Sequence, residues 1–277
     1  MNRQKTNRRT DGLCKMMHAT TQRTMSSSAS PVVTIAPCVR FAALSSRRGS
    51  GTIVVHDGRV VVATAAHVAS MAGKRNQLTL TMRADGSTAS ATARVVGVHA
   101  TLDLAVCEIL ECSSTTGEAF ERAAAEVASS RPTEGVEVEA LGEPQGYAGV
   151  ASAIARLGRG SSPSSSRGSV IGVTKSGTHV MHSGAVVTAG MSGGPLLSVA
   201  TGRVLGVHSF GDAFYGGERD VAVSLNALGA IEWSRGGVDV EAYETAAVNA
   251  RIFASSDVAL AELAPELTRE QRAAWIL

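Results

Sequence analysis

From residue 32 to residue 224 the apolar positions of this chain fall in short valine-rich runs, broken repeatedly by glycine, aspartate or proline. Runs of that length between turn residues predict strands rather than helices. Val32-Val33-Thr34-Ile35 opens the series after Pro31. Residues 51–55 and 60–63 flank His56-Asp57-Gly58-Arg59, where the Asp-Gly pair predicts a tight hairpin turn. Residues 78–82 and 91–98 follow, separated by Asp85-Gly86, and 104–109 completes a strand-rich first half. Residues 117–129 change to an alanine- and glutamate-rich composition, which predicts a helical connector. Strands resume at 136–141, before the turn Gly142-Glu143-Pro144, and again at 149–157 and 170–173. Residues 158–169, rich in glycine, serine and proline, read as a mobile loop carrying Arg159 and Arg167. Residues 196–199 and 203–207 bracket Ala200-Thr201-Gly202 as a further hairpin, and 221–224 forms a last strand. Residues 225–233, 240–253 and 259–275 are alanine-rich with a helical pattern. The expected organisation is a flexible leader (1–30), a first β unit (31–116), a helical connector (117–135), a second β unit (136–224) and a helical extension (225–277).

Composition narrows the picture. A chain of 277 residues has room for one large domain or two small barrels with a substantial core. Its 29 glycines and 4% aromatic content favour many turns and an interior of valine, alanine and leucine. At 18% charged residues it is no disordered polyelectrolyte. The formal charge of +2 is unevenly spread: residues 1–23 hold six basic groups and one acidic group, and the remainder is net negative. From 232 to 277 there are eight acidic and four basic residues. The basic leader lacks the apolar stretch of a secretory signal. Its arginine, serine and threonine fit an organellar transit segment, an unstructured terminus or a polyprotein fragment, and nucleic-acid contact by it is not expected. No apolar run is long enough to span a membrane. The four cysteines, Cys14, Cys38, Cys107 and Cys112, have neither zinc-site spacing nor the density of a disulfide scaffold. Cys107 reads as a buried thiol, with a Cys107–Cys112 bridge as the lesser alternative.

Three separated residues carry the candidate chemistry. His67 stands in Thr64-Ala65-Ala66-His67-Val68, Asp103 in Leu102-Asp103-Leu104-Ala105-Val106, and Ser192 in Gly190-Met191-Ser192-Gly193-Gly194-Pro195. A serine hydroxyl needs a base within hydrogen-bond reach to act as a nucleophile near neutral pH. Histidine titrates in the right range for that base, and a carboxylate on its other nitrogen fixes the tautomer. The glycines around Ser192 permit a sharp turn that aims the N–H groups of Gly190 and Ser192 at a developing oxyanion. Singly, each residue is ordinary: a histidine beside a strand is commonly structural, an aspartate commonly caps a turn. In this order they predict a serine endopeptidase that needs neither cofactor nor metal and acts on protein or peptide substrates.

With these motifs the chain resembles the chymotrypsin-like serine proteases, among them the high-temperature-requirement type and the viral and glutamate-specific relatives. The likeness runs from Val39 to Val223 and includes Gly142-Glu143-Pro144 and Gly206-Val207-His208-Ser209-Phe210-Gly211. It implies an all-β fold of two six-stranded antiparallel barrels with a cleft between them, and added helices in the connector and at the C-terminus. It also implies that Ser209, Phe210 and Gly211 form the edge that pairs with an extended substrate. Met191 is a departure: zymogen-activated relatives carry an aspartate there, which pairs with a new N-terminal amine, and methionine cannot. The peptide-binding domain usual after the barrels in the high-temperature-requirement type has no counterpart here.

The resemblance sets His208 against the primary pocket, as in relatives that contact an acidic or amide side chain, while Val186 supplies no charge at the pocket base. A preference for glutamate or glutamine before the cut bond follows, with a small apolar preference and a core-packed His208 as the alternative. His179 and His182 either assist or simply occupy a strand and its loop, and they lack a third partner for zinc. Two other roles compete: a catalytically silent barrel serving as a peptide-binding or scaffold module, and an autoprocessing unit of a polyprotein. Assembly through the C-terminal helices is a further expectation.

Overall fold

The structure, a computed structural model, describes residues 30–37, 48–84, 87–99, 101–143, 164–185, 187–188, 190–211, 219–234 and 238. Six strands build the first barrel: β1 (Val32–Pro37), β2 (Gly49–His56), β3 (Arg59–Thr64), β4 (Gln77–Ala84), β5 (Ser87–Val98) and β6 (Ala105–Glu111). Their antiparallel order β1-β4-β5-β6-β3-β2 closes on itself through pairing of β1 with β2. The hairpin β2–β3 turns at Asp57 and Gly58, with φ of 48° and 71°. Positive φ at both positions lets the turn follow the twist of the strands, which is why Asp-Gly serves here.

The second barrel is a closed ring of β8 (Glu137–Gly142), β9 (Ser164–Val173), β10 (His179–Ser183), β11 (Pro195–Ser198), β12 (Val204–Gly211) and β13 (Arg219–Ser224), ordered β10-β13-β12-β11-β8-β9. The expected pair of six-stranded antiparallel barrels with added helices is therefore the fold. Between the barrels lie helix α2 (Ser114–Ala123) and the two-residue strand β7 (Ala125–Glu126). β7 adds in parallel to β2 at Val54 and Val55, beyond the stretch of β2 that pairs with β1.

Several elements differ from expectation. The connector helix begins three residues early, where Ser113 Oγ accepts a hydrogen bond from Thr116 N at 3.2 Å, and it stops at Ala123 so that β7 can pair. Such a serine cap satisfies an amide that the first helical turn leaves without a partner. Residues 164–169 are strand, not loop. Pairing with β8 from Glu137↔Ser169 to Gly142↔Ser164 overrides their weak strand propensity, and Gly168 packs where a Cβ would strike Ser183 and Ala185 backbone. Residues Leu225–Ala230 form a 3-10 helix, begun by Ser224 Oγ accepting from Asn226 N at 3.4 Å. All of the leader (1–30) but its last residue, the strand at 149–157 and the helical patterns at 240–253 and 259–275 lie outside the described residues.

Three apolar clusters hold the described residues together. The first barrel is filled by residues such as Ile35, Ile53, Leu78, Leu80 and Cys107, capped by Phe120 from α2. The second barrel has a smaller interior of Val138, Val170, Val180, Leu196 and Leu205. A third cluster joins the two, setting Val54, Val61, Val96, Leu104 and Val106 against Leu141, Val204, Val207, Val223 and Leu228. Burial pushes the Cys107 thiol up to about 12, and no disulfide joins Cys107 to Cys112. After the second barrel the chain returns to the first. Ser234 N donates to Val96 O at 2.6 Å, and Trp233 stacks on His56 with ring centroids 5.6 Å apart. No helix among the described residues is long and apolar enough to cross a membrane.

Candidate active site

β3 ends at Thr64, and the chain turns at Ala65 into the four-residue helix α1 (Ala66–Ala69), which sets His67 at the rim of the first barrel. Asp103 lies in the turn between β5 and β6. That turn is organised by His99, whose Nδ1 accepts hydrogen bonds from Thr101 N at 3.2 Å and Leu102 N at 3.1 Å. Within the same turn Leu104 N donates to Leu102 O at 2.7 Å. Both residues thus project from short, internally bonded turns at the ends of strands whose other faces are buried.

The two residues meet twice, once through their side chains and once through the His67 backbone amide. His67 Nδ1 lies 2.7 Å from Asp103 Oδ2, and His67 N donates to Asp103 Oδ1 at 2.9 Å. Ser209 Oγ, from β12 of the other barrel, donates to Asp103 Oδ2 at 2.6 Å. Burial alone opposes ionisation of Asp103. The charge of His67 and the hydrogen bonds from His67 and Ser209 outweigh it, and the carboxyl is held below its ordinary value. An ionised carboxylate only accepts, so the Nδ1 it faces carries the proton, and a neutral ring then has its lone pair on Nε2. The His67 side chain keeps 41% of its surface exposed, while that of Asp103 keeps 11%. This pair is a sheltered carboxylate orienting an accessible imidazole.

Ser192 lies on the loop between β10 and β11, and the first barrel holds that loop from several sides. Ser50 N donates to Ser192 O at 2.9 Å. Thr52 Oγ1 donates to Gly193 O at 2.9 Å, and Ser50 Oγ donates to Gly190 O at 2.8 Å. Gly193 has a φ of 84°, and a Cβ there would strike Ser50 O and Thr64 Oγ1, so only glycine lets the loop lie this close. Met191 O accepts from Gly194 N at 2.9 Å, which turns the Ser192 N–H of the same trans peptide the opposite way. Ser192 and His67 therefore come from segments clamped together at the barrel interface.

The proposed specificity residues divide. His208 is 1% exposed and lies between the serine loop and β13: its O accepts from Gly193 N at 2.7 Å, and its N donates to Gly194 O at 2.9 Å. Its ring packs edge-on against that of His182, with centroids 5.4 Å apart. Among the described residues neither nitrogen of the His182 ring makes a hydrogen bond. Burial pushes the His208 imidazole down to about 3, helped by His182 and opposed by the nearby Pro195 carbonyl, and burial pushes His182 down to about 4. His179, expected near the same region, is also buried. Its Nδ1 lies 2.9 Å from Thr178 Oγ1, and desolvation lowers it to about 4 against the pull of Asp103. Ser209, Phe210 and Gly211 close β12. Pairing with β11 stops at Val207, whereas pairing with β13 continues through Phe210 and Gly211. Val186 lies outside the described residues. No group of three or more histidine, cysteine or acidic side chains gathers as a metal site among the described residues.

Sequence reasoning overlooked Ser50, Thr52, Thr64 and the role of the Ser209 hydroxyl. The available signal was a set of hydroxyls in otherwise apolar strands. Ser50, Thr52 and Thr64 are all 0% exposed, and a buried hydroxyl demands a partner.

No curated protein sequence matches the chain significantly. Among solved structures, the active form of the Rv3671c protease from M. tuberculosis matches at 19% identity and a TM-score of 0.51, covering 76% of this chain and 85% of that one. Deg5 matches at 20% identity and a TM-score of 0.49, covering 74% and 88%. The MamO protease domain from Magnetospirillum magneticum matches at 17% and 0.48, covering 74% and 96%. At such identities the likeness to the Rv3671c protease is one of fold. The sequence itself matches the trypsin-like peptidase domain over residues 49–207, more than half its length, and the chain belongs to that family.

Proposed function

We propose that the protein is a serine endopeptidase in which Ser192 is the nucleophile, His67 the general base and Asp103 the residue that orients it. The observation that carries this reading is the double contact between His67 and Asp103, which leaves Nε2 of the neutral ring as the proton acceptor. Ser192 Oγ attacks the peptide carbonyl while its proton passes to His67 Nε2. The C–N bond then breaks, and the amine leaves with that proton. Water, giving a proton to the same nitrogen, attacks the ester and restores Ser192. The amides of Gly190 and Ser192 stabilise the oxyanion in both steps; one such donor is worth about 3 kcal/mol in the transition state.

For the substrate we propose a peptide strand laid along Ser209, Phe210 and Gly211, with glutamate or glutamine before the cut bond. Support for the first point is the edge of β12 beyond Val207, where pairing with β11 has stopped. Support for the second is His182, which packs against His208 and whose own ring nitrogens make no hydrogen bond among the described residues; a side-chain carbonyl oxygen would supply an acceptor. Cleavage of a peptide library tests this preference, and enrichment of small apolar residues instead would remove it. The competing reading is a silent peptide-binding barrel. Labelling by a fluorophosphonate decides between them: the wild type reacts and Ser192→Ala does not if the endopeptidase reading holds. A folded wild type that resists the reagent establishes the silent barrel.

A further inference from the structure

Oxyanion donors are useful only if their angle is fixed before substrate arrives, because a loop that reorganises during reaction spends the stabilisation it offers. The serine loop has an intrinsic weakness in this respect. Gly190 has a φ of 93°, and a glycine has no side chain to restrict its own rotation. The peptide joining Gly190 to Met191 lies between the two peptides that carry the proposed donors, Gly190 N–H and Ser192 N–H. Its orientation therefore sets the angle between them.

That peptide is held at both ends. Its N–H, on Met191, donates to Thr188 O at 3.0 Å within the loop. Its carbonyl, on Gly190, accepts from Ser50 Oγ at 2.8 Å, and this bond comes from the opposite barrel. The same Ser50 hydroxyl accepts from Glu143 N at 2.9 Å, so it uses its proton on the loop and a lone pair on the end of β8. The remaining polar atoms of Ser50 are also engaged. Its N–H donates to Ser192 O at 2.9 Å, and its carbonyl accepts from Thr64 Oγ1 at 2.8 Å. Ser50 is 0% exposed, so these partners have no water to replace it.

We infer that Ser50 is a positioning residue for catalysis: its hydroxyl locks the Gly190–Met191 peptide from across the barrel interface and so presets the oxyanion donors. This rests on the endopeptidase reading. It separates two roles that a buried serine can have. A merely structural hydroxyl affects stability, whereas this one acts on the transition state and leaves ground-state binding alone.

The test compares wild type, Ser50→Ala and Ser50→Thr on one peptide substrate, with Ser198→Ala as a buried-serine control on β11, outside the site. Each variant is measured for kcat, KM, thermal midpoint and inhibition by a peptide aldehyde, whose serine adduct carries the oxyanion. Ser50→Ala is expected to lose about 10- to 100-fold in kcat with KM within about twofold, less than loss of an oxyanion donor itself. Aldehyde affinity should fall by a similar factor, and Ser50→Thr, which keeps the hydroxyl, should recover most of both. A Ser50→Ala enzyme with unchanged kcat and aldehyde affinity overturns the proposal, as does a loss confined to the thermal midpoint. If Ser50→Ala does not fold, the comparison moves to Ser50→Cys, whose weak donor should give a smaller loss in the same parameters, and an unaltered Ser50→Cys enzyme overturns the proposal equally. A wild type with no turnover removes the endopeptidase reading, whereas an active wild type beside an unimpaired Ser50→Ala removes the Ser50 role alone.

Discussion

Asp103 shows how much a single buried charge depends on its immediate partners. A carboxylate with its side chain 11% exposed is costly to keep ionised, and here three donors, two from His67 and one from Ser209, supply what water would have given. Replacing it with asparagine keeps the shape but offers an amide that can donate to Nδ1, favouring the wrong imidazole tautomer. Asp103→Asn is expected to lower kcat by about 10³- to 10⁴-fold with a near-native thermal midpoint, by analogy with the same change in the well-known triad. Steady-state kinetics against the peptide substrate provides the check. Ser209→Ala removes one of the three donors and should cost about tenfold in kcat, in keeping with the ~1.5–3 kcal/mol of a hydrogen bond to a charged group.

At the scale of elements, the decisive contact is the serine loop lying flat against β2 and the end of β3. Gly193→Ala puts a methyl group into Ser50 O and Thr64 Oγ1 at a φ of 84°. Backbone strain and overpacking together should destabilise the protein by about 2–5 kcal/mol, read as a lower urea midpoint. This part of the site was only half legible in the sequence. The glycines announced a tight turn, and His67, Asp103 and the Asp57-Gly58 hairpin were recognisable because their signals are local. What holds the loop was not, because Ser50 and Thr52 look like ordinary strand positions until register sets their hydroxyls opposite the carbonyls of Gly190 and Gly193. The same lesson applies to 164–169, where local composition indicated a loop and cross-strand pairing with β8 made a strand. Ser209 was picked out for its backbone, and its hydroxyl turned out to serve the neighbouring barrel's carboxylate.

At the scale of the whole molecule, three buried histidines tie stability to pH. His179 and His182 are lowered to about 4 and His208 to about 3, so the folded protein keeps all three neutral where the unfolded chain would protonate them. A depressed histidine contributes fully above its unfolded value near 6.5, and that contribution is lost as pH falls toward the folded value. Asp103, also depressed, has the same sign but acts only in the more acidic range below its ordinary value of 3.8. Between pH 7.5 and pH 5.5 each of the three histidines should cost about 1 kcal/mol of stability. Urea titrations at the two pH values measure the sum, and His182→Leu should flatten the dependence by about one third. An unchanged slope in that variant would show that His182 is already protonated in the fold or exposed to solvent.

The apolar cluster between the barrels has a consequence for how the protein comes apart. Because Val54, Val61 and Leu104 share one buried patch with Val207, Val223 and Leu228, either half melting alone would leave the other with an open greasy wall. The return of the chain to β5, through Ser234 and the Trp233 stack, fastens the same seam a second time. Two rings of strands thus behave as one thermodynamic object, and a calorimetric scan should trace a lone peak where the architecture drawn on paper invites two.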